Sequence, residues 1–389
     1  LVGSEMCIRD RSFGILRASG KFDWFIDPKR VDAKTRQHVG DKLHIHASDK
    51  LAASLGKLKT KIRLDPSTTP IWFAAQLGGA EIVHGEDLCT MAKACKTKAE
   101  IKGTKAAHLR DGAALCRFLC WLDTRGRTGK ISEIDAARQA EAFRAETGKL
   151  RDLSFDTISG SGPNGAIVHY RVTHATNRRL RPGDIYLIDS GGQYADGTTD
   201  VTRTVLIEGR PPPMGAVDAF TRVLRGHIAL AAARFPTGTN GMQLDTLARA
   251  PLWAAGQDFD HGTGHGVGSY LSVHEGPQRI SKGGMVPMAE GMIVSNEPGY
   301  YAAGRFGIRI ENLQYVRPAK NTGDRHRDML EFGALTLAPI DRHLIDQSAL
   351  TGDEKTWLNT YHAEVLAKVK PLVDSGTAKW LERACRPMR

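Results

Sequence analysis

The stretch Asp189–Asp200, DSGGQYADGTTD, constrains this chain more than any other. It is entered by the apolar run Ile185-Tyr186-Leu187-Ile188, which ends on an acid. It is left through Val201–Ile207, a β-rich run that starts directly after another acid. Gly191, Gly192, Asp196 and Gly197 lie between and are turn formers. The pattern predicts an antiparallel hairpin with Asp189 and Asp200 facing each other near its mouth. Two carboxylates brought together in an apolar setting repel unless a cation joins them. Hard divalent cations prefer carboxylate oxygen, so a metal ion is the economical partner. On this stretch alone two ordinary turn aspartates explain the pattern equally well, because short motifs recur by chance.

The chain has 389 residues, 41% of them hydrophobic and 25% charged. That suffices for a large core and more than one domain. No apolar run approaches the span of a membrane helix, and no signal-peptide pattern is present, so a soluble chain with no membrane partner is expected. A net charge of +11 raises nucleic acid as a partner. The basic residues do not form one patch. Lys57, Lys59, Lys61 and Arg63 alternate with apolar or neutral residues, as on the outer face of a half-buried strand. Lys93, Lys96, Lys98, Lys102 and Lys105 surround a helix start, and Arg178, Arg179 and Arg181 sit in a turn. All three groups read as solvated faces, so no nucleic-acid partner is expected. The six cysteines, Cys7, Cys89, Cys95, Cys116, Cys120 and Cys385, show no CxxC pairing. Free thiols suit a reducing, cytoplasmic setting.

The first dozen residues, LVGSEMCIRDRS, resemble translated adapter sequence. Residues 1–12 are therefore expected to be a non-native leader, with the true protein starting further upstream. Residues 13–94 alternate strand-like and helix-like segments and read as a small α/β unit. Its strands are expected at Phe22–Ile26, Leu43–His46, Lys57–Leu64 and Ala80–Val83, and its helices at Val31–Val39, Lys50–Gly56 and Ile71–Leu77. A linker is expected near Met91–Thr97. Lys96–Arg125 carries a broad apolar helical stripe. Ser132 with Asp135 resembles a capping box before a helix at Glu133–Thr147. Further on, Gly160–Gly165 predicts a loop, and Ala166–Tyr170 a strand with His169 near its end. Pro251 should kink or end the helix it falls in.

The segment His261–Gly268, HGTGHGVG, is too rich in glycine for a helix and reads as an extended loop or edge strand. Glu297 stands at a strand end before a Pro-Gly turn. Arg309 and Glu311 share one strand face. Asp189, Asp200, His265, Glu297 and Glu311 are thus candidate ligands on strand ends or glycine-flanked strands. Four ionised carboxylates are neutralised by two divalent cations and not by one. Oxygen-rich ligation with one imidazole suits manganese, iron, cobalt or zinc. Two such ions hold a shared hydroxide and polarise a carbonyl oxygen, which equips a site for amide hydrolysis.

Five ordered segments, SGSGPNGAIVHY, DSGGQYADGTTDVTRT, HGTGHGVG with VHEGP, NEPGYY and GIRIEN, together resemble the pita-bread metallopeptidase family, in particular its long-form aminopeptidase P branch. The resemblance implies an α/β (α+β) architecture. A truncated creatinase-like unit at 13–94 would precede a pita-bread catalytic domain at 95–325 and a C-terminal extension at 326–389. It implies hydrolysis of the N-terminal Xaa-Pro bond of peptides, with a hydroxide shared by two metal ions, manganese by expectation, as nucleophile. Asp189 would bind one ion, and His265 and Glu297 the other. Asp200 and Glu311 would bridge them. Glu297 would also act as general base, and His274 would stabilise the tetrahedral intermediate and shuttle the proton. His169 and His261 would line the substrate cleft, with His261 and Arg309 near the proline subsite and Tyr301 close by. A homodimer in the cytoplasm is expected. A prolidase acting on Xaa-Pro dipeptides and a non-catalytic pita-bread binding protein are the competing readings.

Overall fold

The computed structural model describes residues 12–320 and 326–389. The expected leader therefore lies, all but Ser12, outside the described residues. The chain divides into two compact units, one ending at Thr90 and the other running from Met91 to Arg389.

In the first unit, Phe13–Leu16, Phe22–Phe25 and Leu43–His46 form a three-stranded sheet, its first pair antiparallel and its second parallel. Ile62–Leu64 pairs in parallel with Ile82–His84. Phe25, Leu51, Leu55 and Leu77 make its buried core. Helices at Ala33–Val39, Leu51–Gly56 and Ile71–Gln76 fall where apolar spacing placed them. The strand expected over Lys57–Leu64 is present only from Ile62. Lys57, Lys59 and Lys61 therefore lie outside it, on the approach to the strand.

The second unit is organised by the helix Lys98–Arg125. Thr97 and Glu100 form a reciprocal capping box at its start, of a kind worth about 1 kcal/mol. Its apolar face buries Leu115, Phe118, Leu119 and Leu122. Ser132 and Asp135 cap the next helix, Glu133–Ala145, as their spacing implied. Later helices span Ala216–Ala231, Gly241–Trp253, Gly352–Val369 and Ser375–Ala384. The helix containing Pro251 stops at Trp253, within a turn of the proline.

Two antiparallel strand systems carry the site. Ile185–Ser190 lies between Ile158–Ser161 and Val201–Leu206. Ile293–Asn296 pairs with Asn312–Pro318, followed by Met329–Ala334 and Arg234–Pro236. The short strands Gly264–His265 and Gly299–Ala302 pair with Arg279–Ile280 and Phe306–Arg309. The hairpin register sets Thr202 opposite Asp189. Asp200, two residues before Thr202, therefore shares a sheet face with Asp189 but stands diagonal to it, not directly across.

Two expectations are corrected. Ala166–Tyr170 is not a strand. The strand is Ile158–Ser161, and a 3-10 turn follows over Gly162–Ala166, with Gly162 at φ +54° and Pro163 at its start. Asn164 and Tyr170 both bond the Glu133 carboxylate, which folds the segment back. His169 consequently sits exposed in a turn. Lys96 is not on a solvated face: its ammonium is buried against Glu275 at 2.7 Å, with Lys93 at 3.3 Å. No described helix is long and apolar enough to cross a membrane, and Cys95, Cys116, Cys120 and Cys385 are free thiols.

Candidate active site

Asp200, His265 and Glu311 bring ligand atoms within 4.8 Å of one another. They arrive from three separate places: the mouth of the first hairpin, the glycine-rich strand, and the break between Phe306–Arg309 and Asn312–Pro318. His265 Nε2 lies 3.4 Å from Asp200 Oδ2 and 3.4 Å from Glu297 Oε1. Its other nitrogen, Nδ1, donates to the Gly266 carbonyl at 2.9 Å. A carbonyl only accepts, so Nδ1 carries a hydrogen, and Nε2 is the ring nitrogen left facing the two carboxylates. With its proton off, Nε2 is a ligand atom of the type that holds a divalent cation.

The electrostatics say the same. Burial, then Asp189 and Glu297, hold the Asp200 carboxyl well above its usual range. Burial, then Asp200 and Glu297, do so for Glu311. Burial raises Glu297 as well. Asp189 Oδ1 and Asp200 Oδ1 are buried and have no hydrogen-bond partner. Orphaned buried carboxylate oxygens around an imidazole nitrogen fit divalent cations by donor type and by charge.

Asp189 is held from the other side. Arg309 Nη2 donates to its Oδ2 at 2.6 Å. Arg309 Nη1 donates to the Tyr301 hydroxyl at 2.7 Å, and that hydroxyl lies 2.8 Å from His261 Nε2. His261 Nδ1 donates to the Gly262 carbonyl at 2.8 Å, so Nε2 is the acceptor of the Tyr301 hydrogen. Burial, then Arg309, push His261 down to about 3, and it is neutral at neutral pH. The His274 ring packs edge-on against His265 at 4.3 Å between centroids. Burial, then His265 and His169, push it down to about 4. His169, on its exposed turn, lies near enough to act electrostatically on both His261 and His274.

Several residues here were not singled out in the sequence. Thr202 Oγ1 accepts from Arg309 Nε at 3.0 Å and donates to Glu311 Oε2 at 2.8 Å. Ser295 Oγ accepts from the His265 amide at 2.9 Å and donates to Glu297 Oε1 at 3.0 Å. Each hydroxyl thus aims a candidate ligand. Arg203, 1% exposed, donates to the carbonyls of Thr202 and Glu311 at 2.9 and 2.6 Å and has no carboxylate partner among the described residues. Arg249 donates to the carbonyls of Phe259 and His261 at 2.6 and 2.8 Å, fixing the strand that leads to His265. Threonine and serine in strands read as β-formers. Only their register against the acids could have marked them.

The glycines of HGTGHGVG are needed for backbone packing. A Cβ on Gly264 would stand 2.1 Å from the Ser295 carbonyl oxygen, and one on Gly266 would stand 2.0 Å from that of Glu275. The glycines let the neighbouring chain approach closely enough to set His265 against Glu297 and His274.

Residues 102–318 match the model of metallopeptidase family M24, and 328–388 match the C-terminal region of peptidase M24. Residues 11–100 match the creatinase/prolidase N-terminal domain. A probable Xaa-Pro aminopeptidase P of Laccaria bicolor is 44% identical over 94% of this chain and 58% of its own length. Aminopeptidase P2 of Arabidopsis thaliana is 51% identical over 79% of this chain and 44% of its own. The solved X-prolyl aminopeptidase of Caenorhabditis elegans, described as a cytosolic enzyme with a di-nuclear active site, superposes with a TM-score of 0.87 at 38% identity. It covers 95% of this chain and 62% of that one. The chain thus spans less than two thirds of the length of these relatives. The pita-bread α/β architecture expected from the motifs is the one the chain adopts. By the match of its sequence and the arrangement of its fold, the chain belongs to metallopeptidase family M24.

Proposed function

We propose that this chain carries the catalytic part of a dinuclear-metal aminopeptidase that hydrolyses the N-terminal Xaa-Pro bond of peptides. The observation that carries the reading is the buried convergence of Asp200, His265 and Glu311 within 4.8 Å, with Glu297 and Asp189 at its flanks. The relatives named as aminopeptidases P support the substrate class, and the description of the worm enzyme supports two metal ions. Asp189, Asp200, His265, Glu297 and Glu311 would hold two divalent cations, manganese in our reading, with zinc, cobalt or iron as alternatives. Bound there, such a pair polarises a carbonyl oxygen and makes water a better nucleophile at neutral pH.

The chain's own groups do the rest. Glu297, oriented by Ser295 and raised by burial, takes a proton from the attacking water. Attack completes the new C–O bond, and Glu297 then returns that proton to the proline nitrogen, so the C–N bond breaks as the tetrahedral intermediate collapses. His274, neutral through burial, donates its N–H to the oxygen that gains charge. The neutral His261 ring, 4.8 Å from Phe259 and locked by Tyr301, forms a wall for the proline ring. An Xaa-Pro amide has no N–H, so the shape of such a wall selects proline where a backbone acceptor could not. His169, on its exposed turn, meets the peptide from the other side. We read 13–94 as the creatinase-like unit, 95–325 as the catalytic domain and 326–389 as its extension. We also read the enzyme as a cytosolic homodimer, in keeping with the free thiols of Cys95, Cys116, Cys120 and Cys385.

One assay tests the reading: release of the N-terminal residue from Xaa-Pro-Xaa and from Xaa-Pro, with and without added manganese. Manganese-dependent cleavage of the tripeptide supports it. Cleavage of the dipeptide alone would make the protein a prolidase. Absence of cleavage, with salt-sensitive polyanion binding, would make it a non-catalytic binding protein.

A further inference from the structure

A cavity of about 510 Å³ lies at the end of the strand Val201–Leu206 remote from Asp200. The C-terminal end of the helix Lys98–Arg125, the segment 339–343 and the last helix, Ser375–Ala384, complete it. It shares no residue with the acids and histidines of the candidate active site. Its size falls in the range of small-molecule sites.

The charges around it are unequally satisfied. Its acids are already paired. Arg127 bridges Asp123 at 2.6 Å and Glu208 at 3.1 Å. His343 bridges Glu208 at 3.1 Å and Asp341 at 2.9 Å. Asp341 also accepts from the Leu206 amide at 2.8 Å. Its remaining arginines, Arg342, Arg383 and Arg386, have no carboxylate partner among the described residues. Arg342 is the most committed of the three. Its Nε is buried without a hydrogen-bond partner. Its terminal nitrogens reach only the carbonyls of Arg383 and Pro387, at 3.5 and 3.4 Å, the far limit of a hydrogen bond. Burial, then the like charge of Arg386, hold this guanidinium below its ordinary value, and the nearby Asp341 offsets them only in part. Beside the arginines the wall is apolar, and it includes Trp380, Ile340 and Leu119.

We propose that this cavity binds a small organic oxyanion, a phosphate or carboxylate head on an aromatic or apolar body. Arg342 supplies the guanidinium fork, which matches either head through two parallel hydrogen bonds. Arg383 and Arg386, at the exposed rim, draw the anion in. Trp380 and its apolar neighbours take the body.

Isothermal titration of the whole chain at physiological salt tests this with phenyl phosphate, benzoate, inorganic phosphate and benzyl alcohol. The expected result is saturable binding of phenyl phosphate or benzoate, at least about tenfold tighter than inorganic phosphate, and none of benzyl alcohol. The tighter of the two aromatic anions identifies the head. Arg342→Met is expected to weaken that binding at least about tenfold and to leave peptide hydrolysis unchanged. If Arg342→Met does not fold, Arg386→Met at the rim is expected to weaken binding several-fold in a folded protein. Absence of saturable binding of both aromatic anions overturns the proposal. So does equal affinity in the wild type and the folded arginine variants, which would mean adsorption to a generally basic surface.

Discussion

Arg309 Nη2 donates to Asp189 Oδ2 at 2.6 Å, joining two residues that belong to different hairpins. The same guanidinium reaches Thr202 Oγ1 at 3.0 Å and the Tyr301 hydroxyl at 2.7 Å. Through Thr202 it acts on Glu311, and through Tyr301 on His261. One planar cation therefore orders both Asp189, a proposed metal ligand, and His261, which we propose as the wall for proline.

Arg309→Lys keeps the charge but loses the fork. A lysine ammonium cannot serve Asp189, Thr202 and Tyr301 at their present positions. Hydrogen bonds to charged groups are worth about 1.5–3 kcal/mol each, so kcat/KM for Xaa-Pro-Xaa should fall roughly tenfold to a hundredfold or more. Unchanged kinetics in the lysine variant would mean that charge alone is what the site needs.

Glu297→Gln removes the proton acceptor and conserves the shape. Turnover is expected to fall by about two to four orders of magnitude, the usual contribution of a general base. The circular dichroism spectrum should match the wild type. A variant that still hydrolyses Xaa-Pro-Xaa at the wild-type rate would remove Glu297 from that role.

Asp200→Asn relieves a crowded, buried set of acids and removes a ligand. With chelator present, the variant should melt at or above the wild-type temperature, because repulsion with Asp189 and Glu297 is gone. With manganese added, the order should reverse, and activity should be lost. Equal stabilisation of both proteins by manganese would count against Asp200 as a ligand.

His362 gives a pH dependence away from the site. It is fully buried, its Nε2 accepts from the Ile340 amide at 3.1 Å, and burial pushes it down to about 3 from 6.5. A folded-state value below the unfolded one means the unfolded chain binds the extra proton. Stability from this group is therefore complete above pH 6.5 and declines as pH falls toward about 3. The slope is about 1.4 kcal/mol per pH unit for a single group. Denaturant midpoints measured across that window should fall less steeply in His362→Gln than in the wild type. Identical slopes would exclude proton uptake at His362.

The Asp189–Asp200 hairpin was legible because an apolar run, a glycine-rich turn and a β-branched run leave few alternatives. The extended form of the segment around His265 was legible because its glycines exclude a helix. Long-range partners were not. Lys96 reads as one more solvated lysine until Glu275, 179 residues away, is found against it. Thr202 and Ser295 are indistinguishable from other strand residues until the register places them beside acids. The apolar run Ala166–Tyr170 favours a strand through His169, and bonds from Asn164 and Tyr170 to Glu133 override that local preference. The acids and histidines of the candidate site were readable as chemistry, and their supports only as geometry.

The most direct test is calorimetric titration of the chelator-treated wild-type chain with manganese. The account expects saturation at two ions per chain, together with the appearance of Xaa-Pro-Xaa hydrolysis. No saturable binding, or hydrolysis undiminished in the ion-free chain, would contradict it.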